Sequence, residues 1–142
     1  MAIKQISVFL ENRHGALSEV TTILKNENID IRALSIADTT DYGILRMIVS
    51  DTEKAKNAIK GAGITVHATE VLGIKVPDVP GGFSKVVDAL GSKKIDIEYT
   101  YAFLTPKEKE ACVIVRVDDN EEAIEALKSV GIDILKETEL FY

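Results

Sequence analysis

At 142 residues the chain is long enough for one ordinary domain or two very small ones, and 46% apolar with 28% charged residues marks a folded globular protein. A net charge of −6, with the acidity weighted to the second half, excludes a nucleic-acid face, which needs clustered Lys and Arg. No apolar run approaches the ~20 residues that cross a bilayer. There is no basic-then-apolar leader pattern, and Cys112 alone cannot form an intrachain disulfide, so the expected setting is cytoplasmic with no membrane partner.

The first element is a strand: Ile6, Val8 and Leu10 alternate with Ser7, Phe9 and Glu11. A turn over Asn12-Arg13-His14-Gly15 leads into an amphipathic helix carrying Leu17, Val20, Ile23 and Leu24. The helix ends in the polar run Lys25-Asn26-Glu27-Asn28. Ile29-Asp30-Ile31 starts a second strand that runs to about Ala37. Asp38-Thr39-Thr40-Asp41 has turn chemistry, and Leu45, Met47 and Val49 alternate in a third strand. Asp51 caps a second helix with Ala55, Ala58, Ile59 and Ala62 on its apolar face. Gly63 closes it in the left-handed conformation, and Ile64-Thr65-Val66 opens a fourth strand.

The same order then repeats. At an offset of 66, Gly15, Ser18, Val20 and Leu24 meet Gly81, Ser84, Val86 and Leu90, and Ile29-Asp30-Ile31 meets Ile95-Asp96-Ile97. A two-residue insertion in the turn Thr105-Pro106-Lys107-Glu108 moves the offset to 68. Val49, Asp51, Ala55, Gly63 and Ile64 then meet Val117, Asp119, Ala123, Gly131 and Ile132. The expected fold is α+β: two tandem ferredoxin-like βαββαβ units, over residues 1–69 and 70–142, each an antiparallel sheet with helices packed on one face. Units this small bury little apolar surface alone. Ile44, Ile48 and Ile114 are expected to face away from the helices, so that face or an edge should be covered, by the sister unit or by another chain. The boundary Thr69-Glu70-Val71-Leu72-Gly73 contains no flexible linker, which predicts rigid packing of the units.

Each unit places a glycine where its first strand turns into its first helix. The free N–H groups of a helix start, with the helix dipole behind them, suit a carboxylate. An α-amino acid held there would accept hydrogen bonds near Gly15, Ala16 and Leu17, with Gly15 leaving room for close approach. Asn12 and Asp30 supply acceptors for its ammonium. They lie on strands that are not neighbours in this topology, so a joint role requires a second unit. The counterparts are Asp78 and Asp96. The plainer alternative stays open for these residues: glycine for backbone geometry, Asn12 and Asp78 for local turn hydrogen bonds, Asp30 and Asp96 facing water.

The combined pattern resembles the ACT domain family of regulatory, amino-acid-binding modules. The family's first turn reads approximately Asn-Arg/Lys-Pro-Gly-x-Leu, and stands here as Asn12-Arg13-His14-Gly15-Ala16-Leu17 and as Asp78-Val79-Pro80-Gly81-Gly82-Phe83. The resemblance covers essentially the whole chain and is closest to small free-standing proteins made only of two ACT modules. It implies a non-enzymatic regulatory protein with ligand at the turns, between modules: Asn12, Arg13, His14, Gly15, Ala16, Leu17 and Asp30 in one copy, Asp78, Val79, Gly81, Gly82, Phe83 and Asp96 in the other. A His that the serine-binding members carry two residues before the turn Asn falls on Leu10 and Val76, so that contact is absent. The expected partners are a small-molecule amino acid, a second copy in a homodimer, and an enzyme of amino-acid metabolism. The alternative is a ligand-free structural or dimerisation module, or an accessory subunit of a metabolic enzyme.

Other chemistries lack their residues. With His14, His67 and Cys112 as the whole His and Cys complement, no closed metal-ligand set is present, and neither a metal nor a cofactor is expected. No phosphate loop or nucleophile triad has an interpretable spacing. A phosphate-binding reading through Arg13 fails in the repeat, which has Val79. An RNA-binding reading through Phe9 meets Lys75 there. Tyr99, Tyr101 and Phe103 are expected to pack as core, the alternative being contact of a tyrosine with ligand at the first unit's turn. Arg46 is expected in a surface ion pair.

Overall fold

The computed structural model describes residues 2–38, 41–103 and 110–140. The turn expected to carry the two-residue insertion therefore lies outside the described residues, as does the middle of the turn at 38–41. The chain forms two compact units, Lys4–Thr69 and Glu70–Tyr142, the latter joined by Met1–Ile3.

The first unit runs β1 (Ile3–Glu11), α1 (Ala16–Asn26), β2 (Ile31–Asp38), β3 (Tyr42–Val49), α2 (Thr52–Gly61) and the start of β4 (Val66–Pro77). Its strand order is β2-β3-β1-β4, and β3 is antiparallel to both of its neighbours. Ile6 and Val8 stand opposite Met47 and Leu45. This face packs on Val20 and Leu24 of α1 and on Ala55 and Ile59 of α2, forming the core. Phe9 and Ser7, opposite Ile44 and Arg46, lie on the other face, as the pleat requires.

The second unit repeats this with the rest of β4, α3 (Gly82–Gly91), β5 (Tyr99–Phe103), β6 (Glu110–Arg116), α4 (Asn120–Ser129) and a two-residue β7 (Ile134–Leu135), followed by a 3₁₀ turn at Glu137–Glu139. The order β5-β6-β4-β7 matches the first unit position for position. Each unit is therefore ferredoxin-like. The repeat extends to backbone conformation. Gly15 and Gly81 both have φ of 85°, Gly63 and Gly131 have 81° and 76°, and Asn28 and Lys94 have 56° and 58°.

Three expectations change. The second strands start later than Asp30 and Asp96, at Ile31 and Tyr99. After α1 the chain reverses through left-handed Asn28, the Ile29 N–H donates to the Leu24 carbonyl, and the Asp30 N–H donates to Ser50 Oγ instead of a strand partner. Ile48 and Ile114 lie opposite the helices and are buried, as a covered face requires, and what changes is the source of the cover. In the second unit that face is covered partly by its own chain ends. A Cβ on Gly73 would sit 2.6 Å from Ile3 Cδ1 and 3.0 Å from Leu135 Cβ, Lys75 Nζ meets Glu139 Oε2 at 2.7 Å, and Leu140 is buried. Finally, Tyr99, Tyr101 and Phe103 stand opposite Arg116, Ile114 and Cys112, on the face away from the helices, and so take no part in the helix-side core. Two-residue periodicity identifies a stripe but does not say which face it lines.

Candidate ligand site at the strand-to-helix turns

The first turn is tight. The Arg13 N–H donates to the Glu11 carbonyl at 2.8 Å and the Ala16 N–H to the Arg13 carbonyl at 3.4 Å. Gly15, at φ 85°, then feeds the chain into α1. The second turn repeats these contacts, with Val79 N–H to Pro77 O at 2.9 Å and Gly82 N–H to Val79 O at 3.0 Å. Gly81 takes the left-handed conformation that only glycine adopts cheaply.

What distinguishes these two helix starts is the absence of a cap. Asp51 accepts from the Lys54 N–H at the start of α2, and Asp119 from the Glu122 N–H at the start of α4. Neither α1 nor α3 has a side-chain cap. The next N–H groups, those of Leu17 and Ser18 and of Phe83 and Ser84, have no backbone acceptor among the described residues. Two of the four α-helices among the described residues thus present dipole-backed donors without a side-chain cap.

Glycine at position 15 is required by its backbone angle. A Cβ there would meet nothing within 4 Å, so the room expected for a ligand exists, but φ rather than clearance selects the residue. Gly82 is different: a Cβ would lie 2.2 Å from the Pro77 carbonyl oxygen. The first copy accommodates Ala16 at that place, buried against the core.

Arg13 bridges Glu11, at 3.0 Å, and Glu19 of α1. These hydrogen bonds, Glu19's first, raise the guanidinium's already high pKa. Exposed Val79 replaces Arg13 in the second copy, which therefore lacks this clasp. Beside the first turn lies a cleft of about 320 Å³ bordered by Phe9, Glu11, Arg13, Ala16, Glu19, Tyr42, Gly63 and Thr65. His14 and Leu17 are exposed beyond it. Tyr42 and Thr65 escaped the sequence reading because only strand pairing brings them here: Tyr42 is registered opposite Glu11, and Thr65 accepts from the Phe9 N–H.

Asp30 is not part of this arrangement within its unit. It sits past the far end of α1, whose 11 residues span roughly 16 Å. It borders a separate hollow with Thr21, Lys25 and Asn28, and faces Arg32 at 3.6 Å. Asp96 occupies the same place after α3 and is likewise exposed. Asp78 is exposed at the second turn. No group of three or more His, Cys, Asp or Glu able to hold a metal occurs among the described residues.

Comparison with known proteins agrees with this architecture. Protein BT0572 from Bacteroides thetaiotaomicron is 43% identical over 99% of this chain and 96% of its own, with a TM-score of 0.92. The regulatory subunits of aspartate kinase from Thermus thermophilus, in ligand-free form, and from Thermus flavus share the fold. Their TM-scores are 0.65 and 0.66 at 18% and 15% identity, covering 90% and 89% of this chain and 92% and 89% of theirs. No curated protein matches the sequence. A family model described as an ACT domain pair matches residues 1–142, and the chain accordingly belongs to the ACT domain pair family.

Proposed function

We propose that this protein is a non-enzymatic regulator that binds a free α-amino acid at its strand-to-helix turns and, as a homodimer, passes the binding event to an enzyme of amino-acid metabolism. The uncapped starts of α1 and α3 carry this reading, beside the Asp-capped starts of α2 and α4 in the same units. A fold that caps two helices with aspartate and leaves two open has kept donors available for an external carboxylate. The likeness in fold to aspartate kinase regulatory subunits supports a regulatory role.

A second reading has its own observation: Arg13 already clasps Glu11 and Glu19 across the first turn, which fits a purely structural module. Calorimetry against the twenty amino acids separates the two. A ligand present at 100 times its dissociation constant adds about 2.7 kcal/mol of stability, visible as a raised melting temperature. A flat response to all twenty at millimolar concentration leaves the structural module.

A further inference from the structure

The cleft beside the first turn carries a charge excess and an aromatic wall. Three carboxylates border it, those of Glu11, Glu19 and Asp41, against one cation, Arg13. Arg13 is shared between Glu11 and Glu19, and Asp41 forms no ion pair among the described residues. Ala62 and Gly63, also on the border, bring up the C-terminal end of α2, where the helix dipole is negative.

The wall is made by Phe9 and Tyr42. Their ring centroids are 5.6 Å apart with planes tilted by 37°, and they remain 38% and 41% exposed. His67 stands nearly perpendicular to Phe9, with centroids 6.2 Å apart. Ring faces and carboxylates attract the same ligand chemistry, an organic cation. Neither feature is needed to build the turn, because the second copy folds without them. At the offset that aligns Gly15 with Gly81, Phe9, Glu11 and Glu19 become Lys75, Pro77 and Lys85. Tyr42, registered opposite Glu11, is matched by Glu110 opposite Pro77. The left-handed glycine and the uncapped helix start are nevertheless the same in both.

We propose that the first-turn cleft selects an amino acid with a cationic side chain, of the lysine, ornithine or arginine kind. Its carboxylate is answered by the start of α1. The three carboxylates of the cleft, less Arg13, then call for two cations, the α-ammonium and one more at the end of the side chain. That second cation lies between Asp41, Glu19 and the rings of Phe9 and Tyr42. A neutral side chain leaves the charge unanswered, and an acidic one adds to it. The inference deepens the proposed function and rests on its placement of an amino acid at this turn.

Isothermal titration of the whole chain with matched ligand pairs tests it: arginine against citrulline, and lysine against norleucine, which lacks only the side-chain ammonium. The charged member of each pair should bind about tenfold tighter or more, and about 0.5 M sodium chloride should narrow the gap. Asp41→Asn and Tyr42→Leu should each reduce that preference about threefold or more, with citrulline affinity and circular dichroism as in the wild type. Equal affinity within each pair, or a tighter neutral member, overturns the cationic ligand while leaving an amino-acid site standing. A preference for charge that both variants leave intact puts the cation outside this cleft and overturns the proposal too. Binding of none of the twenty amino acids overturns the proposed function itself.

Discussion

At the level of single residues, the two copies of the repeat offer paired tests. Asn28 and Lys94 occupy the same left-handed position after the first helix of each unit. Asn tolerates that region through its short polar side chain, whereas Lys does not. Lys94→Gly should therefore stabilise the protein by about 0.5–1 kcal/mol, and Asn28→Gly by less, in urea denaturation. Gly82→Ala should cost roughly 1–3 kcal/mol, because the backbone oxygen of Pro77 occupies the place of the new methyl. The first turn calls for a subtler change. Val at position 15 would strain the turn at φ 85°, so lost binding would say nothing about ligand contact. Gly15→Asn keeps the left-handed angle and puts a side chain into the open space before the helix start. Its melting temperature without ligand should exceed that of Gly15→Val, while its ligand affinity falls at least tenfold.

At the level of elements, the helices, their aspartate caps and the left-handed glycines that close α2 and α4 were legible because each follows from local spacing. Asp51 caps as read and its repeat counterpart Asp119 does the same, and the repeat itself showed in identities spread over core and turn positions. What was not legible depends on distant parts of the chain. Gly73 looks like an interior strand glycine until Ile3 and Leu135 arrive beside it. The two-residue β7 and the 3₁₀ turn after it have too little length for periodicity. The ion pair between Lys75 and Glu139 joins residues 64 positions apart. That pair gives a pH prediction. Its hydrogen bond to Glu139, above all, raises the Lys75 pKa from its ordinary 10.5. A raised folded-state pKa stabilises in full below the unfolded lysine's titration and is lost as pH climbs through the folded value. Glu139→Gln should therefore cost at most about 1 kcal/mol near neutrality for a partly exposed pair. The gap between wild type and variant should close as melts are taken from pH 9 upward past 10.5. A gap that persists at the highest pH would mean Glu139 acts through packing of the C-terminal segment and not through its charge.

At the level of the whole molecule, duplication has produced two turns with the same backbone and different surroundings. Both helix starts lack caps, so helix electrostatics alone would make both sites equal. Their side chains argue otherwise. The first turn adjoins a cleft formed with Tyr42, Gly63 and Thr65, wide enough at about 320 Å³ for a small ligand. The hollow touching Gly81 spreads instead over Ser84, Lys85, Asp88 and Ser92 on the outer surface of α3, away from the strands, and neither hollow is bordered by Asn12 or Asp78. The second turn also exchanges Asn12, which both donates and accepts, for Asp78, whose charge opposes an incoming carboxylate. One tight site per chain is the expected stoichiometry, located at the first turn. Isothermal titration with the amino acid identified by the screen should give a molar ratio near one per chain. Asn12→Ala should weaken binding at least tenfold, and Asp78→Ala should leave the tight site intact. Asp78→Asn should strengthen any weak second phase by removing the opposing charge. Two equal sites in the wild-type protein, or loss of tight binding in Asp78→Ala, would place recognition in what the copies share, the bare helix starts, and not in what divergence has made of the first.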